Sequence, residues 1–302
     1  MDGGKSIIIE RNIVRNGQRG FQIGCENQSF LTYAKADSVV LRNNIAYGNS
    51  RGGIGLGTIN HPANPAKVTN SWVLNNTCYN NYVSQIEFGK KEDFGELNLD
   101  FSEHCAVRNN IFASSIAGRD RLMNSYPSTP PVNLNIDYNF WYEATNATPY
   151  FVYANAAYVG FVHYKNSLGK DVNGRFETPS FYNVSNKFRL GVSSLANEAG
   201  DNTPFWLTAT GATDFDFKPR LKGIRTEPGA YEQHCINGQV ISQNIASGPQ
   251  KFESNTTITI SSKISANTQV ELDAGQSITI QPGFEAPKTS TFKAYIDGCG
   301  NK

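Results

Sequence analysis

Apolar and polar residues alternate with a period of two in short runs along the first half of the chain. One such motif returns five times, as Ile9-Glu-Arg-Asn-Ile13, Leu41-Arg-Asn-Asn-Ile45, Val73-Leu-Asn-Asn-Thr77, Val107-Arg-Asn-Asn-Ile111 and Ile136-Asp-Tyr-Asn-Phe140. Its shared asparagines, Asn12, Asn44, Asn76, Asn110 and Asn139, are spaced by 32, 32, 34 and 29 residues. The alternation predicts β-strands, and a fixed period of this length predicts a solenoid built from them.

A second motif repeats in step with the first, as Gly20-Phe-Gln-Ile-Gly24, Gly53-Ile-Gly-Leu-Gly57 and Gln85-Ile-Glu-Phe-Gly89. Each repeat is therefore predicted to be one coil of two or three short strands with a turn at the asparagine, and almost no helix is expected. Inward asparagines at the same corner of stacked coils can form a ladder that satisfies the buried backbone groups of the turn. Such a ladder is typical of the right-handed parallel β-helix and makes these asparagines scaffold rather than site.

The chain divides into three parts by pattern. Residues 1–145 carry the clear coils, and residues 146–232, which are irregular and aromatic-rich, are predicted to be degenerate coils. Residues 235–302 contain short strands joined by tight turns. The predicted fold class is all-β, with a right-handed parallel β-helix over 1–232 followed by a small all-β stack or cap domain over 235–302.

The composition argues against two kinds of partner. Basic residues number 27 and acidic residues 26, and no basic stripe is evident, so nucleic acid is not an expected partner. No apolar run is long enough to span a bilayer, so no membrane partner is expected either. The first strand follows almost directly after Met1, which leads us to expect a fragment of a longer chain whose first coil was covered.

Two stretches carry a resemblance to known families. Ser194-Leu-Ala-Asn-Glu-Ala-Gly200, Asp214-Phe-Asp-Phe-Lys-Pro-Arg220 and Glu227-Pro-Gly-Ala-Tyr-Glu232 resemble the closing motif of a broad family of secreted bacterial β-helix proteins. The chain departs from that motif with Leu195 where proline is common and Lys218 where glycine is common. The segment from Ile264 through Gln281-Pro-Gly-Phe-Glu-Ala286 is similar to the small "three-coathanger-stack" domain of secreted bacterial proteins.

The β-helix family includes polysaccharide lyases, glycosidases and β-helical carbohydrate-binding modules attached to xylanases, and this chain looks most like the last group. The resemblance implies a secreted or cell-surface bacterial protein that binds a xylan-type polysaccharide. It also implies a catalytic domain, elsewhere in a parent chain, as a partner.

The first motif offers one candidate sugar site on its outward side. Residues two and four positions before each asparagine should face outward, and they include Arg42 and Trp72. Trp72 on an apolar strip beside Arg42 could stack on a sugar ring. In the alternative interpretation a segment folds over this face and Trp72 becomes satellite core.

The second motif offers the preferred groove. Its outward column is predicted to be Gln22, Gly55 and Glu87, with the glycine allowing a glycan to approach the backbone. Long insertions at about 25–37, 58–70 and 90–104 follow it and contribute Tyr33. The alternative is that Gln22 and Glu87 are solvated surface. Trp141 and Tyr142 could extend the groove as a platform, or pack internally as large aromatics usually do.

The residues do not form an evident catalytic constellation. A glycosidase needs two carboxylates ~5–9.5 Å apart, and Glu87 with Asp93 or Glu92 is the only evident local pairing. The sequence therefore favours a non-catalytic carbohydrate-binding module. A β-helix lyase or glycoside hydrolase is the alternative, and a surface adhesin or structural spacer is the second alternative.

The five cysteines complete the prediction. Cys25, Cys78 and Cys105 lie inside the repeats and are expected to be buried small hydrophobes. Cys235 and Cys299 bracket the last segment and are candidates for a disulfide, which would indicate an oxidising compartment. No zinc-type spacing occurs, so no cofactor is predicted, while a structural calcium ion is left open.

Overall fold

The computed structural model describes residues 3–25, 35–58, 66–82, 86–87, 90–91, 95–116, 121–125, 130–145, 148–183, 188–191, 194–221, 224–232, 238–254 and 256–296. Strands account for 46% and helices for 6%, in keeping with the predicted all-β class. The chain separates into two compact units, Met1–Glu232 and Gln233–Lys302. Among the described residues, neither helix has the length and apolarity needed to cross a membrane.

The described strands of the first unit form three parallel sheets, which the chain visits in turn. Sheet 1 contains β1 (Gly4–Glu10), β4 (Lys35–Arg42), β8 (Trp72–Leu74), β13 (Ala106–Arg108) and β16 (Asn135–Asp137), with β7 (Lys67–Thr69) beside β4. Sheet 2 contains β2 (Ile13–Arg15), β5 (Ile45–Tyr47), β9 (Thr77–Tyr79), β14 (Ile111–Ser114), β17 (Phe140–Glu143) and β20 (Arg175–Phe176). Sheet 3 contains β3 (Phe21–Ile23), β6 (Ile54–Leu56), β12 (Leu97–Leu99), β15 (Arg121–Ser125) and β18 (Tyr150–Tyr153), with β19 (Ala156–Val159) antiparallel to β18.

The core of the first unit is enclosed by these sheets and follows the predicted alternation. Val39, Leu41, Val73 and Val107 of sheet 1 are fully buried. Ile23, Ile54 and Leu56 of sheet 3 are buried in the same cluster. Cys25, Cys78 and Cys105 are also buried, as predicted. Short strands of three or four residues are enough because each one buries its inward side chains against two other sheets.

The predicted asparagine ladder joins sheets 1 and 2. The backbone N–H of each ladder asparagine donates to the side-chain oxygen of the next, at 3.0 Å from Asn12 to Asn44, 3.0 Å to Asn76, 2.9 Å to Asn110 and 3.0 Å to Asn139. The residue before each one has a left-handed backbone, with φ of 57, 55, 50, 55 and 58° at Arg11, Asn43, Asn75, Asn109 and Tyr138. Asparagine tolerates this conformation better than most residues, which explains the recurrent Asn-Asn pair.

The ladder ends on a carboxylate that the sequence analysis did not identify. Asp171 accepts the Asn139 backbone N–H at 2.9 Å and the Trp141 indole N–H at 2.6 Å. Asp171 is fully buried. Trp141 is also fully buried and stacks on Phe112 at 4.6 Å between ring centroids. The interpretation of Trp141 as a groove platform is therefore wrong, because its ring is core and its only polar atom is used in the ladder.

A second ladder, not predicted, lies at the corner between sheets 2 and 3. Asn49 accepts the Gly17 N–H at 3.0 Å, and Asn81 accepts the Asn49 N–H at 3.3 Å. Glu96 then accepts the Asn81 N–H at 2.8 Å. Both ladders thus pass from neutral side chains to one buried carboxyl group, and the 32-residue spacing of Asn49 and Asn81 was the signal that could have revealed this one.

Residues 146–232 continue the predicted coils only in part, since β18 joins sheet 3 and β20 joins sheet 2. Helix α1 (Phe161–Leu168) buries Phe161 and Tyr164 against the core. Beyond β20 come the hairpin of β21 (Phe181–Asn183) and β22 (Arg189–Leu190) and helix α2 (Pro204–Thr210), none of which joins the three sheets. The described residues between 178 and 232, here called the covering segment, instead pack over the outer faces of sheets 1 and 2. The prediction was wrong because the aromatic residues of this segment would suit a strand of a coil as well as a segment that packs on the outside of the sheets.

The family-like closing motif anchors the covering segment. The Arg220 guanidinium is 1% exposed, pairs with Glu232 at 2.9 Å and donates to Asn43 Oδ1 at 2.6 Å. Asn43 in turn donates its side-chain amide to the Thr210 and Thr213 carbonyls. The motif Asp214 to Glu232 therefore has a structural role here, as a buried ionic clip between the segment and the turn of the first ladder.

The second unit has two three-stranded parallel sheets among its described residues. One contains β23 (Gln239–Ile241), β25 (Thr257–Ile260) and β27 (Ser277–Ile280), and the other β24 (Pro249–Ser254), β26 (Gln269–Ala274) and β28 (Thr291–Tyr295). Their facing sides form a separate apolar core that includes Ile258, Ile260 and Leu272. Alternation is clear in β25, where Ile258 and Ile260 are buried, and is lost at the end of β26, where three consecutive residues are buried.

Candidate functional site

The covering segment packs over the outer face of sheet 1 at Trp72 and Arg42, whereas Ile8 on the first strand is 56% exposed. The Trp72 ring meets Phe205 at 5.4 Å and Trp206 at 5.8 Å, both edge-on. Arg42 donates to Glu10 at 2.6 Å and to the Ala209 carbonyl at 3.0 Å. The prediction of an open sugar platform at Trp72 and Arg42 is therefore wrong, and the satellite-core interpretation describes Trp72 correctly.

The covering segment packs over the outer face of sheet 2 at Tyr47 and Tyr79, whereas Ile13 on the first strand is 45% exposed. Tyr47 and Tyr79 both pack against Phe188, with ring centroids 5.0 and 5.3 Å apart. Tyr142 packs on the apolar cluster that contains Phe140 and Leu190. Tyr142 is thus a packing residue, and its predicted role as a sugar platform is not supported by its surroundings.

The outward column of sheet 3 differs from the predicted one in its third member. Gln22 pairs with Gly55, Gly55 with Asn98 and Asn98 with Asn124. Glu87 belongs instead to a hairpin of β10 (Ile86–Glu87) and β11 (Lys90–Lys91) outside this sheet. The prediction of Glu87 in the column is wrong because the insertion of the third repeat precedes the strand at Leu97–Leu99, whereas the sequence analysis placed it afterwards.

Sheet 3 carries a row of polar side chains on its outward side, here called the polar strip, which are half-buried except for the buried Asn124. It consists of the outward column together with the charged residues that flank it: Arg19, Gln22, Arg51, Asn98, Asp100, Arg121 and Asn124. The buried neighbours Ile23, Leu97, Leu99 and Met123 point the other way, into the core. Adjacent strands are ~4.8 Å apart, so Asn98 and Asn124 lie side by side, while Gly55 separates Gln22 from Asn98.

The amide groups of the polar strip are each oriented by the residue three positions earlier. Arg19 donates to Gln22 Oε1 at 3.0 Å, and Arg121 donates to Asn124 Oδ1 at 3.4 Å. Asn98 accepts the Gly95 N–H at 3.1 Å and donates to the Gly95 carbonyl at 3.0 Å. Such contacts hold an amide in one orientation before a ligand arrives, which lowers the entropic cost of binding.

Gly55 does not leave the open gap that the sequence suggested. A Cβ atom at Gly55 would stand 2.0 Å from Gln22 Oε1, so the Gln22 amide lies across this position. Gly57 is required for a different reason, since its φ is 124° and a Cβ would stand 2.5 Å from the Asp100 backbone. The glycines of this sheet therefore serve close packing of side chain and backbone, and Gln22 rather than the bare backbone forms the surface.

Asp100 is the carboxyl group of the polar strip. It follows the buried Leu99 and is half-buried beside the outward column. Burial raises the pKa of Asp100 to about 6, while the nearby Arg19 guanidinium opposes that rise. At neutral pH it can accept hydrogen bonds from sugar hydroxyls.

Several predicted residues lie outside the described part of the structure. They are Tyr33, Glu92, Asp93, Cys235, Cys299 and the side chain of Glu87. The Glu87–Asp93 pair and the Cys235–Cys299 disulfide therefore stay predictions. Among the described residues, no group of three His, Cys, Asp or Glu side chains is arranged to hold a metal ion.

Comparison with known proteins returned no match. No family model matches the chain, and no curated protein or solved structure matches it at a significant level. The functional interpretation below therefore depends on the residues of the polar strip and on the resemblances described above.

Proposed function

We propose that this chain is a non-catalytic carbohydrate-binding module that recognises a plant cell-wall polysaccharide, xylan-type hemicellulose in preference to others. The first unit would be a right-handed parallel β-helix, and the polar strip of sheet 3 would be its binding face. In this proposal the module is secreted or displayed on a bacterial surface as part of a larger carbohydrate-active enzyme, whose catalytic domain is its partner.

The observation that supports the proposal most strongly is the contrast between the three outer faces. Two are covered by aromatic packing around Trp72 and Tyr79, whereas the third presents pre-oriented amides at Gln22 and Asn98. Carboxamides offer donors and acceptors in one plane and match the hydroxyl pairs of a sugar. A glycan lying across the strands would meet the amide of Gln22, which lies across Gly55, and then the amide of Asn98.

A β-helix lyase or glycoside hydrolase remains the alternative function because of Asp100. Its raised pKa, about 6, is of the kind found in general acids and bases. A glycosidase also needs a second carboxylate ~5–9.5 Å away. Among the described residues of the polar strip Asp100 is the one carboxyl group, while Glu96 nearby is 2% exposed and bonded to Asn81. This favours binding over hydrolysis. A surface adhesin or spacer is the remaining alternative, and in that case no soluble glycan would bind.

The test is calorimetric titration of the full chain with xylan, glucomannan, β-glucan and homogalacturonan. Each mixture is then assayed for new reducing ends and for the absorbance of unsaturated uronates. Xylan binding without any product is the expected result. Product from any substrate would replace the proposal with the enzymatic alternative, and the absence of binding to all four would favour the spacer.

A further inference from the structure

The second unit contains a cavity of about 420 Å³ at its first turn. It is lined by the edge strands β23 and β24 and by the connection between them, from Gln239 to Ser247 and at Gln250 and Phe252. This volume lies within the range of ordinary small-molecule sites, ~300–1,000 Å³. All the residues that line it belong to the second unit.

The chemistry of the lining is uniform. The described residues that line the cavity include four carboxamides, Gln239, Gln243, Asn244 and Gln250, and none of the lining residues is ionisable. Phe252 is half-buried against the core of the unit, and Val240 is 74% exposed. By contrast, the outward side of the neighbouring sheet pairs Lys251 with Glu271 and Glu271 with Lys293. The absence of charge is thus a property of the cavity rather than of the unit.

One lining atom lacks a hydrogen-bond partner among the described residues. Gln239 Oε1 is buried and accepts no hydrogen bond from the described residues, and a buried carbonyl oxygen without a donor destabilises the fold. Two neighbouring amides are already oriented, since Asn244 Oδ1 accepts the Lys263 N–H at 3.1 Å and Gln250 donates to the Ser247 carbonyl at 3.4 Å. Asn244 and Gln250 are both exposed, so the Asn244 side-chain nitrogen and the Gln250 side-chain oxygen can bind a ligand.

We propose that this cavity is a second carbohydrate site, which takes one uncharged sugar unit of an oligosaccharide. A hydroxyl of the sugar would donate to Gln239 Oε1, and Gln243 and Gln250 would bind further hydroxyls. Phe252 supplies the apolar surface against which the C–H face of a pyranose packs. A phosphate-bearing or other charged ligand is disfavoured, because no lining residue would neutralise it.

The test uses the full chain and three uncharged probes, xylohexaose, cellohexaose and mannohexaose. Binding is followed by calorimetry and by NMR of the side-chain amide signals. The three tryptophans of the chain, Trp72, Trp141 and Trp206, all belong to the first unit. We expect at least one probe to shift the amide signals of Gln239, Gln243 and Gln250. Binding of that probe in the cavity should leave the tryptophan emission unchanged.

The variant Gln239→Leu/Gln250→Ala should weaken binding at the cavity about tenfold, because two neutral hydrogen bonds are lost. Gln281→Ala is the matched control, since Gln281 is an exposed glutamine of the same unit that does not line the cavity. The proposal is overturned if no probe shifts the lining amides, or if the double variant alters only thermal stability and leaves binding unchanged. The variant Gln22→Ala distinguishes the two sites. It should lose xylan binding at the polar strip, while the probes still shift the amide signals of the residues that line the cavity.

Discussion

Asn81 and Glu96 share two hydrogen bonds at the end of the second ladder. The Asn81 backbone N–H donates to Glu96 Oε1 at 2.8 Å, and its side-chain amide donates to Glu96 Oε2 at 2.7 Å. Asp171 ends the first ladder in the same manner. Burial raises the pKa of Glu96 to about 8 and that of Asp171 to about 7. Each ladder thus finishes on a group whose charge is costly inside the fold.

These raised pKa values predict that stability falls as the pH rises. An unfolded glutamate titrates near about 4.3, so between that pH and about 8 the folded chain keeps a proton on Glu96 that the unfolded chain has released. The free energy of unfolding therefore decreases across this window. Glu96→Gln keeps a neutral group in place and should flatten the dependence. The buried Cys78 beside Glu96 stays protonated, because its own pKa is raised by burial and by Glu96.

The measurement is urea unfolding, followed by tryptophan emission, at about pH 5 and about pH 8. The wild-type chain should be less stable at the higher pH, and Glu96→Gln should show a smaller difference. Asp37→Asn is a suitable control, because hydrogen bonds from Thr69 and Asn70 hold the pKa of Asp37 low, at about 2, so it is ionised at both values. An unchanged slope in Glu96→Gln would show that Glu96 is not the titrating group.

The middle of the first ladder should be far more sensitive to substitution than its end. Asn76 is fully buried, accepts two hydrogen bonds from Asn44 and donates to the Leu41 carbonyl at 2.9 Å. Asn76→Ala leaves those groups unsatisfied and should cost about 2–4 kcal/mol. Asn12→Ala, at the exposed first position, should cost under about 1 kcal/mol. Equal losses in chemical denaturation would contradict the ladder as the source of stability.

The ionic clip of the covering segment predicts a second large loss. Arg220 and Glu232 are each 1% exposed as side chains, and removing one partner strands the other as a buried charge. Arg220→Met should therefore cost about 3–5 kcal/mol. Lys67→Ala breaks the Lys67–Glu103 pair, where the side chains are 36% and 23% exposed, and should cost under about 1 kcal/mol. A small loss in Arg220→Met would show that the segment is held by its aromatics alone.

Trp72 provides a test that separates packing from binding. Because its ring lies against Phe205 and Trp206, Trp72→Ala should lower the free energy of unfolding by about 1–3 kcal/mol. At a temperature where both proteins are folded, the Trp72→Ala variant should bind polysaccharide with the same affinity as the wild-type chain. A selective loss of affinity with stability unchanged would restore the sugar-platform interpretation.

The repeating part of the fold was predictable because its physics is local and periodic. Asn44, Asn76 and Asn110 recur at nearly constant spacing, and each one satisfies the turn beside it. The third strand of sheet 3 was not predictable in the same way. Gln85-Ile-Glu-Phe-Gly89 matches the motif by alternation, yet Leu97-Asn-Leu99 occupies the register position because it follows the insertion. Alternation identifies a strand without determining which neighbour it pairs with.

The covering segment explains most of the remaining errors about the site. The sequence correctly predicts that the side chains of Trp72 and Arg42 point outward. Whether they are exposed to solvent depends on residues more than a hundred positions later in the chain. The contacts from Phe205 and Ala209 are long-range and have no local pattern. Gln22 was predicted in the outward column and lies there. Asp100 could not be singled out from the sequence, because its proximity to Arg19 depends on how the strands of the sheet are arranged.

The most direct test of the central claim is xylan titration of the polar strip variants. We compare the wild-type chain, Gln22→Ala/Asp100→Asn and Asn166→Ala, in which an exposed helical amide away from the strip is removed. The account predicts that the strip variant binds xylan about tenfold more weakly, that Asn166→Ala binds like the wild type, and that no product forms. Undiminished binding by the strip variant, or cleavage of the xylan by the wild-type chain, would contradict it.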